Sequence, residues 1–124
     1  MAVEFKSGTR FPELDVKGSP REIGRSIGEA TKNLIPELME HTLMRFNQYR
    51  RFPISQEKAL DLAAKYLPAV ETYSSDSFDE LQGVAEASGV TASAVMFLNT
   101  RAEIGNLNER SGCTALAIDG RPYE

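Results

Sequence analysis

Two glycines within one helical pattern constrain the fold of this sequence more than any other feature. The pattern begins at Ser19-Pro20-Arg21-Glu22, which combines a good N-cap, a proline suited to the first helical position and an acid placed for a capping box. Apolar residues then recur at helical spacing, and Gly24 and Gly28 lie four apart on one face. Each glycine costs about 1 kcal/mol relative to alanine in a helix interior. We therefore expect this face to pack closely against a neighbouring helix, the alternative being a weak, frayed first turn.

Prolines and capping residues divide the next eighty residues into further helices. Pro36 should kink or restart the first helix, whose pattern then continues to about Arg50. Later capping residues predict four or so helices in all. The last of these helices carries apolar residues up to Leu98. The predicted starts, breaks and stops are Pro36, Ser55, Pro68, Ser77 with Glu80, Gly89 and Thr91.

Strand signals are confined to the two ends of the chain. Phe11 to Val16 predicts one short strand, and Thr114 to Ile118 predicts another, closed by the hairpin-turn signal Asp119-Gly120. Residues 120–124 resemble the start of a further strand, so we expect the sequence to stop inside a sheet, as a fragment would. The predicted fold class is α+β, mainly helical, with short strands at the start and at 113–124.

Composition and charge narrow the classes of function. The 124 residues are 41% hydrophobic and 26% charged, with a net charge of −4 and scattered Lys and Arg, which argues against nucleic acid or an anionic membrane as the main partner. One cysteine excludes an internal disulfide, and no apolar run resembles a signal peptide or a bilayer span. His41 has no second His or Cys at ligand spacing, so we expect no metal site. These observations favour a cytoplasmic protein.

The single cysteine is the strongest candidate for chemistry. Cys113 follows Gly112 and opens the predicted strand, and Thr114 adds a hydroxyl beside it. A lone cysteine at a strand edge is usually a small buried hydrophobe. The alternative is that its thiolate attacks the Gly112 carbonyl in an N-to-S acyl shift, after which water hydrolyses the thioester. Cys113 would then carry a thiol and a free α-amine, whose pKa of about 7.7–8.0 suits a base for its own thiol.

Two residues before this segment are candidates for a supporting role. Arg101 is either an ordinary cation near a helix C-terminus or a buried organiser of the loop that leads to Cys113. Asn99 is either a C-cap or a functional amide. The local pattern leaves both pairs of alternatives open.

Four segments in fixed order resemble a known enzyme family. They are G-S-P-R-E-I-G-R-S-I-G (18–28), E-L-Q-G-V-A-E-A-S-G-V (80–90), M-F-L-N-T-R-A-E (96–103) and S-G-C-T (111–114). In this order and spacing they resemble the acyl-coenzyme A:6-aminopenicillanic acid acyltransferase family, self-cleaving N-terminal-nucleophile enzymes also grouped as a cysteine peptidase family. The resemblance implies that Gly112–Cys113 is the self-cleavage bond and Cys113 the nucleophile. It also implies a four-layer αββα fold, with residues 1–112 as the helical α subunit and 113–124 as the start of the β subunit.

The resemblance implies a function for the parent protein rather than for this chain alone. In the family, the chain after the nucleophile is the longer part and carries the oxyanion-hole residues and most of the substrate pocket, whereas only twelve residues, 113–124, follow the bond here. We therefore expect the N-terminal part of a self-processing acyltransferase or amidohydrolase that is inactive by itself and keeps its Gly112–Cys113 bond.

The expected partners follow from the same resemblance. The small-molecule partners are an acyl donor and an acyl acceptor, with acyl-coenzyme A as a candidate substrate, and we expect no cofactor. The protein partners are the remainder of the β subunit and further copies of the chain, through self-association. We expect neither nucleic acid nor membrane as a partner. The rival interpretation is a stand-alone helical interaction module in which Cys113 is structural; an exposed apolar helical face would support it.

Overall fold

Six α-helices make up the regular structure of residues 11–105, the part of the chain that the computed structural model describes. Each helix is short, and a proline or a capping residue stands at most of the boundaries between them. In chain order they are α1 (Pro20–Thr31), α2 (Ile35–Asn47), α3 (Gln56–Ala64), α4 (Leu67–Tyr73), α5 (Ser75–Ser88) and α6 (Ala92–Gly105).

The expected α+β class is wrong for the described part of the chain, which contains helices and no β-strand. The predicted strand at Phe11–Val16 is neither helix nor strand in the structure. A short local pattern does not specify the second strand that a β-strand needs for its backbone hydrogen bonds, and no strand occurs among residues 11–105. The second predicted strand, at 113–124, and the Gly112–Cys113 boundary lie outside the described residues.

The start of α1 is fixed by the predicted capping box. The Ser19 backbone N–H donates to Glu22 Oε2 at 2.8 Å, and the Ser19 hydroxyl lies 2.8 Å from the same oxygen. In return, the Glu22 backbone N–H donates to Ser19 Oγ at 3.4 Å. The Ser19 backbone N–H, and after it the Ser19 hydroxyl, lower the pKa of Glu22 because both favour the ionised carboxylate.

Backbone contact between α1 and α5 explains the paired glycines. A Cβ atom on Gly24 would lie 2.0 Å from the Glu80 carbonyl oxygen, and one on Gly28 would lie 2.5 Å from the Val84 carbonyl oxygen. The contact is reciprocal, because a Cβ atom on Gly83 would lie 2.3 Å from the Arg21 carbonyl oxygen. The expected close packing is confirmed, and the alternative of a frayed first turn is wrong.

Most of the other predicted helix boundaries are also confirmed. Pro36 stands in the first turn of α2, Ser55 caps α3 by accepting from the Lys58 N–H, and Gly89 ends α5 in the left-handed conformation at φ +75°. The number of helices differs, because residues 11–105 form six helices where four or so were predicted, and two boundaries differ as well. α5 begins at Ser75, because Ser74 rather than Ser77 is its N-cap, and α6 continues to Gly105, well past Leu98.

The core is built around α6. Its buried residues include the consecutive run Ala94–Phe97, so neighbours cover the helix on most of its faces. Phe97 and Ile104 are almost completely buried, and the small residues Ala59 and Ala63 bring α3 close to this helix.

None of the helices in residues 11–105 is by itself long and apolar enough to cross a bilayer. Only α5 and α6 taken together, across a bend of 119°, reach that length and hydropathy.

We predict that Gly24→Ala destabilises the protein by about 3 kcal/mol, because the added methyl group collides with the backbone of α5 and not with a movable side chain. Urea unfolding followed by circular dichroism measures the free energy of unfolding. Gly105→Ala is the matched control: its Cβ atom would lie 3.5 Å from the Phe46 ring, an ordinary contact. Equal stabilities of the two variants would show that α1 and α5 are not in backbone contact.

We predict that Ser19→Ala raises the pKa of Glu22 towards its usual value, because one donor to the carboxylate is lost. A carboxyl group with a lowered pKa stabilises the fold fully above the usual glutamate pKa of about 4.3, and this contribution is lost as the pH falls through the lowered value. Carboxyl chemical shifts in an NMR titration give the pKa. Ser26→Ala is the control, since Ser26 Oγ donates to the Glu22 backbone carbonyl. An unchanged pKa in Ser19→Ala would disprove the capping assignment.

Candidate functional site

The two described site candidates, Asn99 and Arg101, both lie on α6 but on different sides of it. Successive residues of an α-helix are rotated by about 100°, so these two side chains leave the helix about 200° apart. Each therefore lines a separate groove, and the structure does not bring them together.

Asn99 lies on the side of α6 that faces α4 and α5. Its Nδ2 donates to the Val95 carbonyl oxygen at 2.9 Å, one turn earlier in the same helix. It lines a groove of about 300 Å³ together with Ser77, Glu80 and Met96. The expected C-cap role is wrong because α6 continues to Gly105, and the role of a functional amide stays a prediction.

Arg101 lies on the side of α6 that faces α2. Its side chain is exposed, so the alternative of a buried organiser is wrong, and its Nη1 donates to the Leu98 carbonyl oxygen. It lies four residues before Gly105, the last described residue of α6, so its role as a cation near the helix C-terminus stays a prediction. Arg101 lines a groove of about 530 Å³ with Leu38, Arg45 and Phe46, which we call the α2–α6 groove.

The proposed nucleophile and cleavage site lie outside the described residues. This applies to Gly112, Cys113 and Thr114 alike, so their predicted roles stay predictions. In the sequence, seven residues separate the last residue of α6, Gly105, from Cys113. The candidate site therefore consists, in the described part, of α6 and the helices that hold it.

Two of the segments that carry the family resemblance form one structural unit. Segment 18–28 lies in and just before α1, segment 80–90 covers most of α5, and the glycine contact joins them. Ion pairs flank this contact: Arg21 lies 2.6 Å from Glu86 and 3.3 Å from Asp79. These side chains are partly exposed, so each pair contributes at most about 1 kcal/mol.

The third segment of the resemblance, 96–103, forms the middle of α6. Met96, Phe97 and Thr100 are buried, and the Thr100 hydroxyl donates to the Met96 carbonyl oxygen at 2.7 Å. The exposed positions of the segment include Asn99 and Arg101. Burial explains why the segment needs its apolar residues, whereas packing alone requires neither Asn99 nor Arg101.

His41 and the carboxylates form no metal site in the described part of the chain. No group of three or more His, Cys, Asp and Glu side chains that could hold a metal ion occurs among these residues. His41 is exposed, and its Nε2 lies 3.9 Å from Glu37 Oε1, one turn away on α2.

The sequence reasoning missed the basic character of the α2–α6 groove. Arg45 and Arg101 line the same groove, although 56 positions separate them in the sequence. A third arginine, Arg50, stacks on the Phe46 ring at 4.1 Å from its centroid. Helical spacing places Arg45 and Phe46 on α2, but only the packing of α2 against α6 places Arg101 beside them.

The comparisons with known proteins supply no further assignment. No family model matches the chain, and no curated protein matches it. The family resemblance therefore depends on the four quoted segments alone.

We predict that Asn99→Ala and Arg101→Ala each change the free energy of unfolding by less than about 1 kcal/mol, because each side chain is exposed and bonds only to its own helix. Phe97→Ala is the contrasting variant and should cost about 3–5 kcal/mol, since it removes a fully buried ring. Thermal or urea unfolding measures both effects. A cost above about 2 kcal/mol for Asn99→Ala would make Asn99 a structural residue.

Proposed function

We propose that the chain is the N-terminal part of a self-processing acyltransferase or amide hydrolase, with Cys113 as its nucleophile. The observation that carries the proposal is the position of the resembling segments in the helices. Segments 18–28 and 80–90 meet where two helix backbones touch, and segment 96–103 forms the buried middle of α6. The similarity thus involves residues that depend on one another physically, and such a set is harder to match by chance than isolated short motifs.

The proposed self-cleavage takes place in the parent protein: Cys113 and Gly112 supply the reacting atoms, one water molecule is consumed, and the rest of the β subunit supplies the oxyanion donors. The Cys113 thiolate forms a bond to the Gly112 carbonyl carbon, the bond from that carbon to the Cys113 nitrogen breaks, and the nitrogen takes up a proton. Water then hydrolyses the thioester, which releases a Gly112 carboxylate and the free thiol. The new α-amine, with a pKa of about 7.7–8.0, can accept the thiol proton in later acyl transfer.

The acyl transfer itself would use the same thiol. Cys113 would take an acyl group from an amide or thioester substrate, acyl-coenzyme A being one candidate, and pass it to an amine or to water. Within this proposal, the described helices support the segment that carries Cys113, and Asn99 and Arg101 are candidates for positioning residues.

A second candidate function is a stand-alone helical interaction module in which Cys113 is structural. Large apolar side chains are exposed on α2 and in the residues that flank it on both sides, which is the observation that favours this function. Leu34 and Leu38 lie one turn apart and are each about half exposed, at 53% and 51%. The other exposed members of this region are Met44, Tyr49 and Phe52.

We predict that the natural gene product, isolated untagged from its own cells, consists of two polypeptides that meet at Gly112 and Cys113. Intact-mass spectrometry measures both masses. Cys113→Ala should give one uncleaved polypeptide, because no thiol is left to attack the Gly112 carbonyl. Ser111→Ala is the matched control and should still be cleaved, since Ser111 carries no bond-forming atom in the proposed step.

The same preparation separates the two candidate functions. Cys113 is the only cysteine of these 124 residues, and peptide mapping after iodoacetamide treatment shows whether Cys113 is the thiol that is modified. Loss of amide hydrolysis on alkylation would support the enzyme. An uncleaved 124-residue species whose alkylation changes no activity would contradict it and favour the interaction module.

A further inference from the structure

The α2–α6 groove is basic, although the chain as a whole is acidic. Arg45 and Arg101 line it, and no Asp or Glu is among its lining residues. Within residues 11–105, neither Arg45, Arg50 nor Arg101 forms an ion pair with a carboxylate. The arginines of α1 behave differently, because Arg21 and Arg25 both pair with Glu86 on α5.

The groove also offers an apolar surface beside its charges. Leu38 is half exposed, Phe46 is half-buried against the edge of Phe97 with ring centroids 6.4 Å apart, and Ala102 is exposed on the α6 side. The packing of Phe46 against the core fixes the position of its ring on the apolar side of the groove. The volume of about 530 Å³ falls within the range of about 300–1,000 Å³ that small-molecule sites occupy.

We propose that the α2–α6 groove binds a small amphiphilic carboxylate. Arg45 and Arg101 pair with the carboxylate, and the apolar part of the ligand lies along Leu38, Phe46 and Ala102. Charge complementarity supports this choice, because guanidinium groups hold carboxylates through paired, charge-assisted hydrogen bonds. Arg101 Nη1 already donates to the Leu98 carbonyl oxygen, but its other N–H groups are not used by this bond. The proposal does not depend on the nucleophile proposed above.

The test uses decanoate and decyltrimethylammonium, which share a ten-carbon chain and carry opposite charges. Each is titrated, below its micelle concentration, into the 124-residue chain labelled with ¹⁵N, and dissociation constants come from the amide shifts of Leu38, Thr42 and Ala102. We expect decanoate to bind at least tenfold more tightly than decyltrimethylammonium. Equal affinity of the two probes, or binding of neither, would overturn the proposal.

Arginine-to-glutamine variants test whether Arg45 and Arg101 bind the carboxylate of decanoate. The double variant Arg45→Gln/Arg101→Gln should weaken decanoate binding at least tenfold, while Arg51→Gln, an exposed arginine outside the groove, should leave it unchanged. All three positions are exposed, so we expect these variants to fold, and circular dichroism checks this. Unchanged decanoate binding by the folded double variant would overturn the proposal.

Two further measurements distinguish other occupants of the groove. Sedimentation velocity would detect a dimer that the double variant dissociates, which would place a second copy of the chain in the groove. A change in the amide shifts of Leu38 and Ala102 on Leu116→Ala would place the C-terminal segment of the same chain there. Either result would overturn the small-ligand proposal. The proposal is supported if the protein is a monomer and Leu116→Ala leaves the amide shifts of Leu38 and Ala102 unchanged.

Discussion

The arrangement of the described helices depends on the backbone contact between α1 and α5. Gly24 and Gly83 meet where the two helices cross, and Gly28 lies against Val84 and Ala87 of α5, so a side chain larger than hydrogen on Gly24 or Gly83 would collide with backbone atoms. Such glycines weaken each helix on its own, by about 1 kcal/mol apiece relative to alanine. The helices are therefore stable mainly as a pair, in which dispersion contacts between the two backbones and the flanking ion pairs of Arg21 offset the intrinsic cost. This dependence explains why α1 and α5 form one unit, although 43 residues (32–74) lie between them.

The pair α1–α5 in turn sets the position of α6. Gly89 ends α5 in the left-handed conformation, and Thr91 Oγ1 accepts from the Ala94 N–H to start α6 after a turn of only a few residues. α6 then runs through the core, where α2 and α3 cover its other sides. Because α6 is fixed on several sides, its exposed positions have defined directions, with Asn99 in one groove and Arg101 in the other. The buried positions of α6 hold the helix in place, and only the exposed ones are left to bind a ligand.

Local signals in the sequence predicted the helices well and the fold class poorly. The Ser19 capping box, the restart at Pro36 and the stop at Gly89 are short-range effects, which a single segment contains in full. The strand at Phe11–Val16 failed because a strand is defined by its partner, and no local pattern supplies one. Ser77 was mistaken for an N-cap because Ser74, three residues earlier, carries the same hydroxyl and makes the actual capping bond. For the site, the sequence named Asn99 and Arg101 but did not separate them, since only the packing of α6 shows which groove each side chain enters.

The two arginine pairs show how packing determines what a charge can do. Arg21 and Arg25 face Glu86 because the glycine contact brings α5 within reach, and their charges are thereby compensated inside the chain. Arg45 and Arg101 line the α2–α6 groove, and neither pairs with a carboxylate among residues 11–105. Both side chains are exposed, so their charges are accessible to solvent and to a ligand in the groove. A bound carboxylate would pair with these charges while the apolar part of the ligand contacts Leu38, Phe46 and Ala102. The groove is therefore better suited to an anionic amphiphile than to a neutral ligand of the same size.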